Sequence, residues 1–260
     1  MTRARSSEDR RPLPPPLPPA ERTVGQVVAE AIRLYGRRFS ASLLVGVGPA
    51  AVGAAGTLLD LRPLHTVVPG GILLGASYVL AVRIATDAPG APWATALLAA
   101  ALVFVPFAVL LRFLILPGIL WLALVALAVP AIAVERLGLL AGFRRGLQLA
   151  RADFVHALGG FAALWLVVFL TQGVLAFVLR DQADQAQQTA ILLATLVVSP
   201  VFFLGAALLY ADQAARVVDS GSRKPRKGRG DADLHPALDA DGAGGADAAV
   251  EPGAAARGEP

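Results

Sequence analysis

WATALLAAALVFVPFAVLLRFLILPGILWLALVALAVPAIAV, residues Trp93–Val134, carries a single charge, Arg112. A helix needs about 20 apolar residues to cross a hydrocarbon core of roughly 30 Å. The stretch is too long for one crossing and contains no polar loop. Leu116-Pro117-Gly118 reads as a tight turn that divides it into spans over 93–115 and 119–134. The second is short, so a span plus a re-entrant segment stays open as the alternative. Arg112 then falls near the turn, at headgroup depth, where a long cationic side chain can reach the interface.

The same character extends on both sides. From Thr66 to Ala133 the only charges are Arg83, Asp87 and Arg112. Over the whole chain 56% of residues are hydrophobic and 16% charged, with a mean hydropathy of +0.62. A soluble domain carries about a quarter charged residues, and no soluble interior could hide several helices of this kind. Further apolar runs predict spans over residues 40–59, 66–84, 156–178 and 189–210. In lipid every backbone polar group must be satisfied within the segment, so the spans are helical. The predicted fold is therefore all-α: a multi-pass transmembrane bundle of about six spans. Gly46, Ala50 and Ala54 repeat every four residues, a spacing that lets helices approach closely. Ser199-Pro200 is the expected kink of the last span.

Two amphipathic helices flank these spans. Over residues 23–39, Val24, Val27, Val28, Ala31, Tyr35 and Phe39 share one face, and Gln26, Glu30, Arg33 and Arg37 the other. Thr23 and Gln26 have capping-box spacing at its start. Over residues 135–154, Leu139, Phe143, Leu147, Ala150 and Phe154 oppose Arg144, Arg145, Gln148 and Arg151. Both read as interfacial helices. Residues 1–22, with the run PLPPPLPP at Pro12–Pro19, and residues 218–260, basic and then acidic, lack the apolar content for a core and are expected to be disordered tails. The membrane domain proper is residues 23–217. Met1–Arg11 is charged and is followed by prolines rather than an apolar stretch, so the first span is expected to direct insertion.

Arginine sets the expected orientation. With six spans, one side collects Arg33, Arg37, Arg38, Arg83, Arg136, Arg144, Arg145, Arg151 and Arg216, and the other holds Arg62, Arg112 and Arg180. The positive-inside rule puts both termini in the cytoplasm. The net charge of +4 is explained by this topology and does not point to nucleic acid. Arg37 and Arg38, with Arg223, Lys224, Arg226, Lys227 and Arg229 in the tail, are the expected contacts to anionic lipid headgroups.

Little of the chain looks like chemistry. Cysteine is absent, and His65, His156 and His235 are far apart. No paired carboxylates, metal-ligand spacing or phosphate loop occur in the spans, so no catalytic residue, metal or cofactor is expected. Glu135 and Asp212 end spans on the arginine side and predict a structural charged rim with Arg144, Arg145 and Arg151. Inside the membrane Gln172 stands out, and an interhelical hydrogen bond is favoured for it over a substrate contact.

Leu116-Pro117-Gly118-Ile119, Pro130-Ala131-Ile132-Ala133-Val134-Glu135 and Gly142-Phe143-Arg144-Arg145-Gly146-Leu147-Gln148-Leu149 resemble the bacterial family named for the membrane domain of glycerophosphoryl diester phosphodiesterase. Ala31–Phe39 and Leu209-Tyr210-Ala211-Asp212 add to the likeness, which covers most of residues 23–217. Some relatives join such a domain to a soluble phosphodiesterase barrel that opens on His-Arg-Gly. That tripeptide does not occur here, and the composition after Asp212 predicts no barrel, so the resemblance implies the membrane part alone. The expected protein is a non-catalytic scaffold or lipid-associated module of a bacterial plasma membrane. A small transporter or channel is the alternative, and a lipid-acting enzyme the third reading. A homo-oligomer or a membrane-protein partner is left open.

Overall fold

The computed structural model describes residues 18–19, 21–58, 63–86 and 88–222, with side chains at all of these except 57, 58, 63–65, 112 and 219–222. Most of both expected tails, the basic cluster from Arg223 to Arg229 and the side chain of Arg112 lie outside the described residues; residues 218–222, expected in the tail, continue the last helix.

Among the described residues the regular elements are all helices: α1 (Val24–Arg37), α2 (Phe39–Leu58), α3 (Pro63–Ala85), α4 (Trp93–Phe113), α5 (Ile115–Val125), α6 (Ala128–Glu135), α7 (Leu139–Ala152), α8 (Phe154–Val178) and α9 (Asp184–Ser222). Six segments are long and apolar enough to cross a membrane: Phe39–Gly56, Thr66–Ala85, Trp93–Leu111, Ile115–Glu135, Phe154–Val178 and Asp184–Val218. Consecutive spans run antiparallel. Gly48 meets Leu73 and Ser77, Gly75 meets Ala100, and Gly118 meets Phe107, pairing α2 with α3, α3 with α4, and α4 with α5. Gly160 against Leu209 and Gly205 against Leu164 pair α8 with α9.

The fourth span is the central one, with 61% of an 18-residue apolar stretch buried against 11% for the fifth. Around it an aromatic chain links four helices: Tyr78 to Phe104 at 5.5 Å between centroids, Phe104 to Phe203 at 5.8 Å, Phe107 to Trp165 at 6.1 Å and Trp165 to Phe202 at 6.3 Å. Lipid is as apolar as leucine, so shape and such ring contacts, at about 0.5–1.5 kcal/mol each, hold helices together where water would not drive them. Phe113, Leu116, Phe169, Val174 and Phe177 are exposed, as side chains facing acyl chains should be.

The turn expected at Leu116-Pro117-Gly118 lies earlier. Leu114 alone is extended (φ −153°, ψ 131°), and α5 begins at Ile115. Pro117 is the third residue of that helix, where the backbone N–H has no intrahelical partner to lose. The segment Ile115–Glu135 is long and apolar enough for a full span and runs back along the length of α4. Gly118 packs on Phe107, the Trp121 indole Nε1–H donates to the Val103 carbonyl at 2.8 Å, and at the far end Arg136 donates to Pro89 O at 2.7 Å. A break between α5 and α6 has its cause in Pro130, which has no N–H for the Ala126 carbonyl; Val129 takes that carbonyl instead at 3.3 Å. The last helix is also longer than residues 189–210. Asp184 favours its positive N-terminal end, and helix-forming Gln and Ala residues there replace the second half of the expected Arg180–Gln188 loop.

The two amphipathic helices spend part of their apolar faces on protein. Val27 and Ala31 are fully buried, and Val24 packs over Gly159 of α8. In α7, Gly142 sits on Ile132 and Gly146 on the backbone of Ala128, while Leu149 and Ala150 are buried. Each polar face stays outside, so both helices dress the arginine-bearing end of the bundle.

Candidate functional site

That end concentrates the described charges. Arg22, Arg33, Arg37, Arg38, Arg83, Arg136, Arg144, Arg145, Arg151 and Arg216 all lie there. At the other end Arg180 is the arginine whose side chain is described, stacked 4.5 Å over the ring of Phe177.

The most enclosed polar cluster forms where α7 hands over to α8 and where α9 leaves the span. Asp153 is the N-cap of α8: its Oδ1 accepts from the backbone N–H of His156 at 3.2 Å, the usual task of aspartate in that position. This turn aims the imidazole at α9. His156 Nε2 stands 2.7 Å from Asp212 Oδ2. The contact is one of proximity rather than an aligned hydrogen bond. Asp212 is fully buried, and the same oxygen accepts from Arg216 Nε at 3.0 Å, one helical turn on. Arg216 spreads its remaining donors. Nη1 reaches Asp153 Oδ2 at 3.1 Å, and Nη2 reaches the carbonyl of Arg22 at 2.7 Å, just before α1. Gln213 Nε2 adds a bond to the Asp153 carbonyl at 3.2 Å. One guanidinium thus ties α1, the α7–α8 junction and α9 together.

A second cluster meets α9 two residues earlier, at Tyr210. The Glu135 carboxylate accepts from Arg145 Nε at 2.9 and 3.1 Å and from the Tyr210 hydroxyl at 2.9 Å. It joins the end of α6 to α7 and α9.

Of the expected rim, Glu135 and Arg145 therefore meet. Asp212 belongs to the other cluster, where His156 and Arg216 meet it. No ion pair within the described residues involves Arg144 or Arg151. Arg37 pairs with Glu30 at 3.1 Å, and Arg38 donates to the Ile84 carbonyl at 3.0 Å, closing the C-terminal end of α3. His156, Asp153, Tyr210 and Arg216 were not expected as partners. Two local signals mark them: an Asp three residues before His at a helix start, and an Asp four residues before Arg on a helix. The pairing across helices has no sequence signal. Among the described residues no group of three or more His, Cys, Asp or Glu side chains is placed to hold a metal.

Within the spans, Gln172 Nε2 donates to Thr195 Oγ1 at 2.8 Å, and Thr195 in turn donates to its own helix at Ile191 O. The amide links α8 to α9. A double-mutant cycle of Gln172→Leu and Thr195→Val on thermal stability in detergent should give a coupling of about 0.6 kcal/mol, the usual worth of such bonds in membranes; additive losses would mean that the bond contributes nothing. Ser199 is buried, and its hydroxyl has no hydrogen-bond partner among the described residues.

No family model matches the chain, nor does any curated protein or solved structure. The likeness to the phosphodiesterase membrane domain rests on the quoted residues alone.

Proposed function

We propose that this multi-pass helical membrane protein is a non-catalytic, lipid-associated scaffold of a bacterial plasma membrane, with its arginine-bearing end toward the cytoplasm. The observation that carries the reading is the use to which the titratable groups at that end are put. Glu135, Asp153, His156 and Asp212 are all engaged in docking helices to one another, through Arg145, Tyr210 and Arg216. A general acid or base must instead face a substrate. The resemblance of the central stretch to a phosphodiesterase membrane domain supports a role beside lipid metabolism.

The test is an activity measurement with a matched variant. Purified full-length protein incubated with a glycerophosphodiester should release no more glycerol phosphate than His156→Ala. Hydrolysis that His156→Ala abolishes, with folding intact, would establish an enzyme. Orientation has its own check. Reporter fusions after Arg151 and Arg216 should read cytoplasmic, and a fusion near Gln185 external; an external signal at Arg151 would invert the topology.

A further inference from the structure

We infer that the notch between the end of α3 and the start of α4 binds the phosphate of one anionic glycerophospholipid. The inference rests on the reading that the arginine-bearing end faces a leaflet containing anionic lipid. Arg83, Thr86, Ala88, Pro89, Gly90 and Trp93 line the notch. Arg83 lies in the last turn of the second candidate span and Trp93 opens the third, which places the notch at the edge of the apolar segments. That is the depth of lipid phosphates and the place where tryptophan rings settle.

Two guanidiniums flank it. Arg83 is exposed, with its guanidinium carbon 5.8 Å from the Trp93 ring centre. Arg136 arrives from the end of α6. Its Nη2 donates to Pro89 O at 2.7 Å, and a Cβ on Gly90 would stand only 3.7 Å from that nitrogen. A guanidinium carries five N–H donors, so this bond leaves most of Arg136 available. No described carboxylate pairs with either arginine, and Glu135, next to Arg136 in sequence, is already held by Arg145 and Tyr210. Asp87, in the same loop, lies outside the described residues.

The backbone at Arg136 strengthens the argument. It is the single non-glycine residue with positive φ among those described, at 54°. Such a conformation is unfavourable for a residue with a Cβ, and here it ends α6 and turns the side chain back over the 88–90 loop. Planar guanidinium groups match phosphate oxygens in pairs, which a lysine cannot do. Two cations beside an interfacial ring favour a lipid of net negative charge over a zwitterionic one.

The experiment uses the full chain in an uncharged detergent, with bound lipid counted by native mass spectrometry. Phosphatidylglycerol, phosphatidylcholine and inorganic phosphate are titrated separately. One phosphatidylglycerol should bind saturably. Arg83→Gln and Arg136→Gln should each weaken it about tenfold, as expected for loss of one charge-assisted bond. Arg136→Lys, which keeps a donor for Pro89, controls for the loop, and Arg180→Gln at the opposite end should change nothing. Retained affinity in Arg83→Gln overturns the notch. Phosphatidylcholine binding as tightly, or inorganic phosphate alone saturating the same site, overturns the anionic-lipid assignment. If phosphatidylglycerol is lost only when the basic residues from Arg223 to Arg229 are neutralised, the notch fails and the lipid-associated reading stands. If the unaltered chain retains none, both fail.

Discussion

Asp212→Asn should destabilise the protein by about 2–4 kcal/mol, read as thermal unfolding in a mild detergent. The carboxylate is fully buried, and His156 and Arg216 converge on its one oxygen Oδ2. Removing one member of a buried pair costs about 3–5 kcal/mol, because the partner is left charged and short of an acceptor. Arg216 is 24% exposed and still has Asp153, so part of that penalty is relieved by water and by the remaining partner. Asp153→Asn is the comparison. Asp153 is 36% exposed, and asparagine caps a helix about as well as aspartate, so the loss should stay below about 1 kcal/mol. Arg216→Lys should behave like Arg216→Gln, since a single ammonium cannot span Asp212, Asp153 and the Arg22 carbonyl together. A larger loss from Asp153→Asn than from Asp212→Asn would mean that the cluster is organised around the helix cap and not around the buried carboxylate.

The fold class was legible because its signal is one of amount. Six apolar runs with few charges between them leave the bilayer as the only solvent, whatever the detailed packing. Helix ends were less legible where proline is ambiguous. Pro117 could end a helix or sit in the first turn of one, and the choice depends on the extended backbone at Leu114, which no residue type announces. Pro130 has the opposite history: it stands inside an apolar run that reads as continuous, and the structure breaks the helix four residues before it. The amphipathic helices were visible as stripes of residues, but period alone does not say what the stripe covers. Val24 meets Gly159 of α8, Val27 and Ala31 are buried, and the paired glycines 142 and 146 bring α7 onto α6, so protein covers part of each stripe, while Phe39 and Leu140 stay exposed.

The charged end divides in the same way. Glu135 with Arg145 could be anticipated from depth, since both had to lie at the same surface. Asp212 was assigned to the same rim for the same reason, and depth was not enough. Which arginine or histidine reaches it depends on the rotation of α8 and α9 about their axes. That rotation is fixed by contacts such as Gly160 on Leu209 and Gly205 on Leu164, which come from residues that carry no charge at all.

Gly46→Ala should cost about 3 kcal/mol, although it adds a single methyl group. A Cβ at Gly46 would fall on the carbonyl oxygen of Leu196 and lie 2.8 Å from its carbon. Backbone cannot turn aside as a side chain can, so α2 and α9 must separate, and the cost belongs at the upper end of the 1–3 kcal/mol usual for overpacking. The site has a local cause. Leu196 is four residues before Pro200, whose ring nitrogen cannot donate to that carbonyl. The oxygen that Pro200 leaves without a helical donor is approached by Gly46, a close contact that a larger residue would prevent. Gly53→Ala, on the same face, meets only the end of the flexible Leu192 side chain at 3.0 Å and should be close to neutral. Gly173→Ala meets nothing within 4 Å and should stabilise α8 by about 0.5–1 kcal/mol through helix propensity. The ordering of these three variants in one thermal series separates close approach from propensity. A Gly46→Ala protein as stable as Gly53→Ala would show that α2 and α9 do not touch beside the Leu196 carbonyl.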